Sequence, residues 1–373
     1  MRLLLDATAV PADLGGVGRY VDALLPSLAA RGVELVVACQ PRAAEAVSRS
    51  TPGAEVVEVR GLSSRPVRLA WEQTVLPGLV RRTRADVLHC PHYTMPVRSS
   101  APVVVTLHDA TFFSHPELHS PAKARFFRAA TRRAVDHSQA LVVPSAATRD
   151  EVRRYAGGDL TRFHVAHHGV DRERFRPASQ EERSRVSRRL RLDGAPYVAF
   201  LGTLEPRKNV PALVGAWVRA VVDMPEPPAL VLAGGPGWDE EVEPALAAVP
   251  AGLRALRAGY LPFDDLAGFL SGAAVVAYPS LGEGFGLPVL EAMACGATVL
   301  TTRELSLPEV GGDAVAYSGT DQASIAQELS GLLADDRRRR ALSEAAVVRA
   351  GLFTWDAAAA VHVAAYEDAL AGR

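Results

Sequence analysis

Ala274-Val275-Val276-Ala277-Tyr278-Pro279-Ser280-Leu281-Gly282-Glu283-Gly284-Phe285-Gly286-Leu287-Pro288-Val289-Leu290-Glu291-Ala292-Met293 runs from an apolar strand through a glycine loop into a helix. The strand, Ala274–Pro279, is apolar without alternation, which marks a parallel strand covered on both faces. Pro288 suits the first position of the helix that follows. The loop therefore sits at a strand's carboxyl end, where open α/β sheets bind ligands. Glu283 falls in the loop and Glu291 in the first helical turn. The backbone N–H groups of Gly284, Phe285, Gly286 and Leu287 are expected to face an anion, reinforced by the helix dipole. Two carboxylates bracketing such a turn suit a ligand with hydroxyls at both ends and phosphate between them, which describes a nucleotide sugar. A favourable helix-start acid accounts for Glu291, but not for Glu283 or the glycines.

The same strand–loop–helix rhythm extends in both directions. Strands are predicted over Arg2–Ala7, Val33–Cys39, Ala85–Cys90, Val103–His108 and Ala140–Ser145, then over Tyr197–Gly202, Ala229–Gly234, Leu256–Tyr260, Ala274–Pro279, Thr298–Thr302 and Ala314–Tyr317. Amphipathic stretches lie between them; in Tyr20–Ala30 the residues Tyr20, Leu24 and Leu28 recur at helical spacing. Repeated βα units imply two doubly wound α/β domains. Phe175-Arg176-Pro177 precedes a polar stretch that ends at Gly194-Ala195-Pro196. That places a first domain at 1–177, a linker at 178–195 with a helical run Glu181–Arg191, and a second domain at 196–355.

The 373 residues agree with two or three domains, and 48% hydrophobic with 22% charged residues excludes disorder and collagen. No apolar run reaches the 18 residues of a membrane span, and Asp6 cuts the first apolar stretch too short for a signal peptide. Three cysteines without CxxC pairing indicate neither a disulfide framework nor a zinc cage, so a reduced, cytoplasmic protein is expected. The net charge of −1 hides a split: residues 1–178 carry 24 basic against 17 acidic side chains, and 179–373 carry 17 against 25. The basic half suggests a partner of its own.

Three further strand-end segments carry candidate chemistry. Gly15-Gly16-Val17-Gly18-Arg19-Tyr20 offers glycines at a helix start, yet it is neither a dinucleotide fingerprint nor a P-loop; a plain glycine turn fits equally. Thr106-Leu107-His108-Asp109 places a histidine at a strand end, able to hydrogen-bond a sugar or phosphate. Gly202-Thr203-Leu204-Glu205-Pro206-Arg207-Lys208-Asn209 sets Arg207 and Lys208 side by side, as in a clamp on two phosphates, although an exposed loop pair would look the same.

Taken in order, these segments resemble the retaining GT-B glycosyltransferases of family GT4, mannosyltransferase-like members especially. Glu283 and Glu291 match the family's E-x7-E motif; Trp71-Glu72-Gln73, Val142–Ser145 and His168-Gly169-Val170-Asp171 through Pro177 match further segments. The resemblance implies two Rossmann-like domains facing across a cleft, with a final helix, 356–373, returning to the first. It implies that Glu283 binds the donor sugar and Glu291 the ribose, that Lys208 and Arg207 bind the diphosphate beside Gly202 and Thr203, and that Gly16 approaches it from the other domain. His108 would contact the sugar, and Tyr260 and Leu261 the base. Two positions depart from the pattern: Thr203 stands where many members have Arg, and His168 where Asn is common.

The expected reaction is hexose transfer with retention from a nucleotide sugar, GDP-mannose first and UDP-sugars second, to a glycan, lipid-linked or small-molecule acceptor. No cofactor or metal is expected, since side-chain cations take a metal's place and the spaced histidines lack a metal pattern. A sugar-nucleotide epimerase, a phosphorylase and a non-catalytic nucleotide-sugar-binding relative are the competing readings. On the acceptor side, Pro121–His137 combines Lys123, Arg125, Arg128, Arg132 and Arg133 with Phe126 and Phe127. That pattern fits either peripheral contact with an anionic membrane or a solvated helix with its aromatics in the core. Nucleic acid is not an expected partner, and the oligomeric state is left open.

Overall fold

Apolar runs that do not alternate require helices on both faces of each sheet, and the computed structural model has that architecture. It describes residues 1–10 and 15–372. The first sheet is wholly parallel: β1 (Arg2–Asp6), β2 (Glu34–Cys39), β3 (Glu55–Glu58), β4 (Val87–Cys90), β5 (Val103–Thr106), β6 (Ala140–Val143) and β7 (Phe163–Val165), in the order β3-β2-β1-β4-β5-β6-β7. The second contains β8 (Tyr197–Leu201), β9 (Ala229–Ala233), β10 (Ala255–Gly259), β11 (Val275–Tyr278), β12 (Val299–Thr302) and β13 (Ala316–Ser318), also parallel, in the order β10-β9-β8-β11-β12-β13.

The period of two along each strand divides the first unit's core in half. Leu4, Val36, Leu88, Val105 and Leu141 face one side with Leu76, Leu79 and Phe127. Leu3, Leu5, Val37, Val104 and Val142 face the other, against Tyr20, Leu24 and Leu28 of the helix Gly16–Ala30 and Tyr366 of the helix Trp355–Ala371. Burying a leucine on either face is worth about 1.5–3 kcal/mol, so both faces have to be covered.

Strands β3 and β7 are additions to the sequence reading. Both lie at the edges of their sheet, and Glu55-Val56-Val57-Glu58 and Phe163-His164-Val165 are short and partly exposed. An edge strand buries less, so no continuous apolar run announces it.

The chain divides into Met1–Gly169 with Thr354–Arg373, and Val170–Phe353. These boundaries differ from those drawn at 177 and 355. Where the chain leaves the first unit and re-enters it, Gly169 packs so closely that a Cβ there would lie 2.1 Å from the Trp355 nitrogen. The stretch expected as a linker, 178–195, contains the helix Gln180–Arg189, which opens with a capping box between Ser179 and Glu182. Arg185 and Arg189 of that helix reach Asp265 at 2.8 and 2.7 Å, so it is an integral part of the second unit. Counted over the two units, the charge split shrinks to 22 basic against 18 acidic side chains and 19 against 24. The helix Trp355–Ala371 belongs to the first unit; Arg373 lies outside the described residues.

Candidate active site

In the second unit the site is assembled from the carboxyl ends of four adjacent strands, β10, β9, β8 and β11. After β8 the chain makes a short 3-10 turn, Pro206–Lys208, closed by Asn209 in the left-handed conformation. Asn209 is held there by its amide, which donates to the Pro279 and Thr320 carbonyls at 3.2 and 2.8 Å. This turn aims Arg207 and Lys208 at the loop after β11.

Glu283, only 6% exposed, is the hub. Its Oε1 accepts from Lys208 Nζ at 2.6 Å, Ser280 Oγ at 2.7 Å and Tyr278 OH at 3.0 Å. Its Oε2 is ion-paired with Arg207, whose guanidinium also donates to the Gly282 carbonyl at 2.7 Å and to Glu205 at 2.7 Å. Lys208 Nζ further donates to Tyr278 OH at 2.5 Å. Burial works against a charged carboxylate, but the Arg207 and Lys208 charges, with the bonds from Lys208 and Ser280, outweigh it and hold Glu283 at about 2. Glu283 is therefore an acceptor of hydrogen bonds at neutral pH and not a proton donor. Burial and the neighbouring Arg207 charge lower Lys208 from its usual value, against the pull of Glu283 and Glu205.

Behind this hub, the Ser306 hydroxyl donates to the Glu283 carbonyl at 2.7 Å and the Thr302 hydroxyl to the Ser280 carbonyl at 2.7 Å, tying the loop to the end of β12. Gly286, at φ +100°, caps the helix Leu287–Ala294, and no side chain caps it in its place. A side chain at 286 would meet both a disfavoured backbone and Leu307, 2.9 Å from the Cβ. Gly284, Phe285 and Leu287 are all buried, and Phe285 packs edge-on against Phe353.

Two helix positions differ from expectation. Pro288 is the second helical residue, and Glu291 is the fifth, past the first turn and buried at 3% exposure. The cause is Gly286, whose left-handed conformation starts the helix one residue earlier, at Leu287.

Gly202 and Thr203 follow β8, with Thr203 exposed. Tyr260, 68% exposed, brings its hydroxyl within 2.6 Å of where a Cβ on Gly235 would stand, while Leu261 is half-buried. Sequence reading passed over Glu205, Tyr278, Ser280 and the turn Gly234-Gly235-Pro236-Gly237. The last carried a signal: three glycines in four residues directly after a strand. A Cβ on Gly234 would fall 2.1 Å from the Gly202 oxygen, and one on Gly237 1.8 Å from that of Leu204.

Gly16 and His108 belong to the first unit. Gly16 is exposed at the start of the helix Gly16–Ala30, and a Cβ there would meet nothing within 4 Å. β5 ends at Thr106, so His108 stands two residues beyond it. His108 Nε2 lies 2.7 Å from the Pro91 carbonyl, an obligate acceptor, so the proton is on Nε2 and Nδ1 is left as an acceptor. Burial lowers its pKa, favouring that neutral form.

Behind His108, Tyr20 packs edge-on at 5.2 Å and takes part in a buried relay. Tyr366 OH lies 2.9 Å from His89 Nδ1, His89 Nε2 2.8 Å from Thr106 Oγ1, Thr106 Oγ1 3.0 Å from Tyr20 OH, and Tyr20 OH 2.7 Å from His362 Nε2. His362 Nδ1 must donate to the Ala358 carbonyl at 2.7 Å, so its Nε2 accepts from Tyr20 and the remaining donors fall into one direction.

The basic helix Pro121–His137 turns Phe127 into the core against Phe112 and Tyr93, with Phe126 half-buried beside it. Arg128 and Arg132 lie over the Phe113 ring, at 5.7 and 5.3 Å. Its exposed side carries Ala122, Arg125, Ala129, Arg132 and Asp136, without a bulky apolar residue. Among the described residues no helix is long and apolar enough to cross a membrane.

Residues 14–174 match the model of Glycosyltransferase Family 4, and residues 195–335 that of Glycosyl transferases group 1. The chain is 30% identical over 306 residues to the O-antigen chain mannosyltransferase B of Escherichia coli, covering 81% of this chain and 77% of that one. The chain belongs to glycosyltransferase family 4. It is also 32% identical to the D-inositol 3-phosphate glycosyltransferase of Mycobacterium avium, over 96% of this chain and 90% of that one. Among solved structures, sucrose-phosphate synthase from Thermosynechococcus elongatus superposes with a TM-score of 0.81 at 18% identity, covering both chains fully. The lipopolysaccharide glycosyltransferase WaaG superposes with a TM-score of 0.74 at 17% identity over 98% of each chain. The family 4 chain thus has the GT-B fold of two Rossmann-like domains, and it is a hexosyltransferase acting on a nucleotide-sugar donor and an acceptor.

Proposed function

We infer that this enzyme transfers a hexose, mannose from GDP-mannose in the first instance, with retention at the anomeric carbon. The observation that carries the reading is the Lys208–Glu283–Arg207 network beside the glycine-capped start of the helix Leu287–Ala294. Glu283 supplies an ionised acceptor for sugar hydroxyls, Lys208 and Arg207 supply cations for the diphosphate, and the helix start supplies N–H donors and its dipole. Glu291 takes the ribose hydroxyls. Tyr260 and Leu261 flank the base, with Gly202 and Thr203 near the phosphates; the part given to Gly16 rests on the family resemblance alone. The choice of mannose is supported by the name of the Escherichia coli relative.

In the reaction the bond from the anomeric carbon to the diphosphate oxygen breaks, and its electrons leave with the diphosphate. An acceptor hydroxyl attacks the same face, and its proton passes to the departing phosphate oxygen. Stabilising the leaving group's charge is then the main catalytic task, met by cations and dipoles already in place. His108, neutral with Nδ1 as acceptor, takes a hydroxyl of the sugar. No metal ion takes part in this scheme, so turnover is expected to survive EDTA.

The acceptor is a glycan, a lipid-linked saccharide or a small molecule, bound by the first unit. Contact with a membrane would rest on charge alone, through Arg81, Arg82, Arg84 and Arg125, and sedimentation with anionic but not neutral vesicles tests it. The buried free thiols of Cys39, Cys90 and Cys295 support a reducing, cytoplasmic setting.

The deciding experiment is binding of GDP, UDP, ADP and TDP to the purified chain, followed by turnover with the matching sugars and NMR of the product's anomeric proton. Tightest binding of GDP, turnover of GDP-mannose and an α-linked product are expected. Preference for another nucleotide overturns the donor, and inversion overturns the mechanism.

A further inference from the structure

The first unit has a concave site of its own. A cavity of about 250 Å³ opens over the carboxyl ends of β3, β2, β1 and β4. It spans the β1/β4 boundary, where the strand order changes direction and doubly wound sheets take their ligands.

Three arginines line it, and they differ in what they are free to do. Arg68 is buried and committed: it reaches Glu72 at 3.0 Å, Asp6 at 3.7 Å and the Thr94 hydroxyl at 2.9 Å, closing the floor. Arg42 and Arg65 are exposed, and among the described residues neither has a carboxylate partner. Among the described residues Arg42 donates only to the Val10 carbonyl, at 3.1 Å. Arg65 lies over the rings of Phe126 and Phe127, at 5.9 and 5.6 Å from their centroids.

Two helix starts open at the same place. Arg42 is the second residue of Pro41–Ser50 and Arg65 the first of Arg65–Thr74, and among the described residues no side chain caps either helix. The Gln40 amide, which stands at the first of these caps, donates instead to the Thr8 carbonyl at 2.8 Å. His92, on the cavity wall, is pushed down to about 3 by burial and then by the charges of His108, Arg68, Arg65 and Lys123.

We propose that this cavity binds a phosphoryl group carried by the acceptor, with Arg42 and Arg65 on its oxygens, the two helix starts adding N–H donors, and Phe126 and Phe127 backing the attached sugar. A phosphoryl group is preferred to a carboxylate because it offers oxygens in more than one direction, matching donors from two arginines and two helices. Calling the ligand an acceptor rests on the reading of the second unit as the donor site; the anion site itself does not.

The test uses the full chain and calorimetric titration with glucose 6-phosphate, glucuronate and glucose. Glucose 6-phosphate is expected to bind, glucuronate more weakly and glucose not measurably. Arg42→Gln and Arg65→Gln, both surface changes, are each expected to weaken glucose 6-phosphate about tenfold or more while leaving nucleoside diphosphate binding unchanged. Lys208→Met is expected to do the reverse. The ring protons of His92 should shift on saturation of the wild type and stay still in the Arg42→Gln/Arg65→Gln double variant. The proposal is overturned if the wild type does not bind glucose 6-phosphate, if glucose binds equally well, if the arginine variants bind it normally, or if Lys208→Met abolishes it. Loss of diphosphate binding in the wild type would instead overturn the donor reading and leave this site standing.

Discussion

Glu283→Gln tests whether the candidate donor site is held together by its ion pairs. The carboxylate's displacement from 4.5 to about 2 corresponds to about 3 kcal/mol of preference for the charged form in the folded chain. Glutamine keeps the shape but removes the charge and turns one acceptor into a donor facing Lys208, Arg207, Tyr278 and Ser280. The buried Lys208 then loses its nearest counter-charge, and the half-buried Arg207 keeps only Glu205; about 3–5 kcal/mol is the usual cost of breaking a buried pair. With a denaturant slope near 2 kcal/mol per molar urea, the second unit's transition should fall by about 1.5–2.5 M. Trp217, fully buried in this unit, reports the transition by fluorescence. The first unit's transition, followed by hydrogen exchange, should stay where it is. Adding Lys208→Met should recover part of the loss, because the second change removes a cation the first has orphaned. A shift of less than about 1 kcal/mol, or strict additivity in the double variant, would refute the argument that Glu283 and Lys208 are coupled in a buried network.

Three other outcomes follow from the geometry. Lys208→Met should weaken nucleoside diphosphate binding at least tenfold by titration calorimetry, since it deletes a cation at the phosphate position; unchanged affinity would move the phosphates elsewhere. The first unit should lose stability as pH falls from about 6.5 toward about 4, because His362 stays neutral when folded, at about 4, but takes up a proton when unfolded. That single histidine contributes about 3 kcal/mol over the window, and urea midpoints that stay flat from pH 7 to 5 would contradict it. Tyr20→Phe should cost about 1–3 kcal/mol by stranding the acceptor on His362, and should speed hydrogen exchange across Trp355–Ala371 ahead of the rest of the chain; unchanged protection there would dismiss the relay as an anchor.

Much of this enzyme was legible in one dimension because its candidate site sits at strand ends. A buried parallel strand writes itself as an apolar run, and the loop after it carries glycines and charges that stand out against that run. Hence Glu283, Lys208, Arg207 and His108 could be singled out before any contact was known. Edge strands β3 and β7 could not, since a strand buried on fewer sides needs fewer apolar residues. The stretch 178–195 looked like a linker because its helix is charged on most sides. Asp265, which receives Arg185 and Arg189, lies some eighty residues away, and no local pattern announces such a pairing.

By itself, then, the order of residues determined the fold class, the two doubly wound domains and the identity of the residues at the candidate donor site, because each depends on periodicity or on neighbours within one βα unit. Only tertiary structure decided how those residues are paired. That Lys208 and Arg207 hold a buried Glu283, that Glu205, Tyr278 and Ser280 complete the hub, that Pro91 fixes the tautomer of His108, and that Arg42 and Arg65 meet over one cavity are all consequences of strand order. Sheet order brings together loops that the chain keeps tens of residues apart, and Coulomb energies and desolvation depend on distance in space.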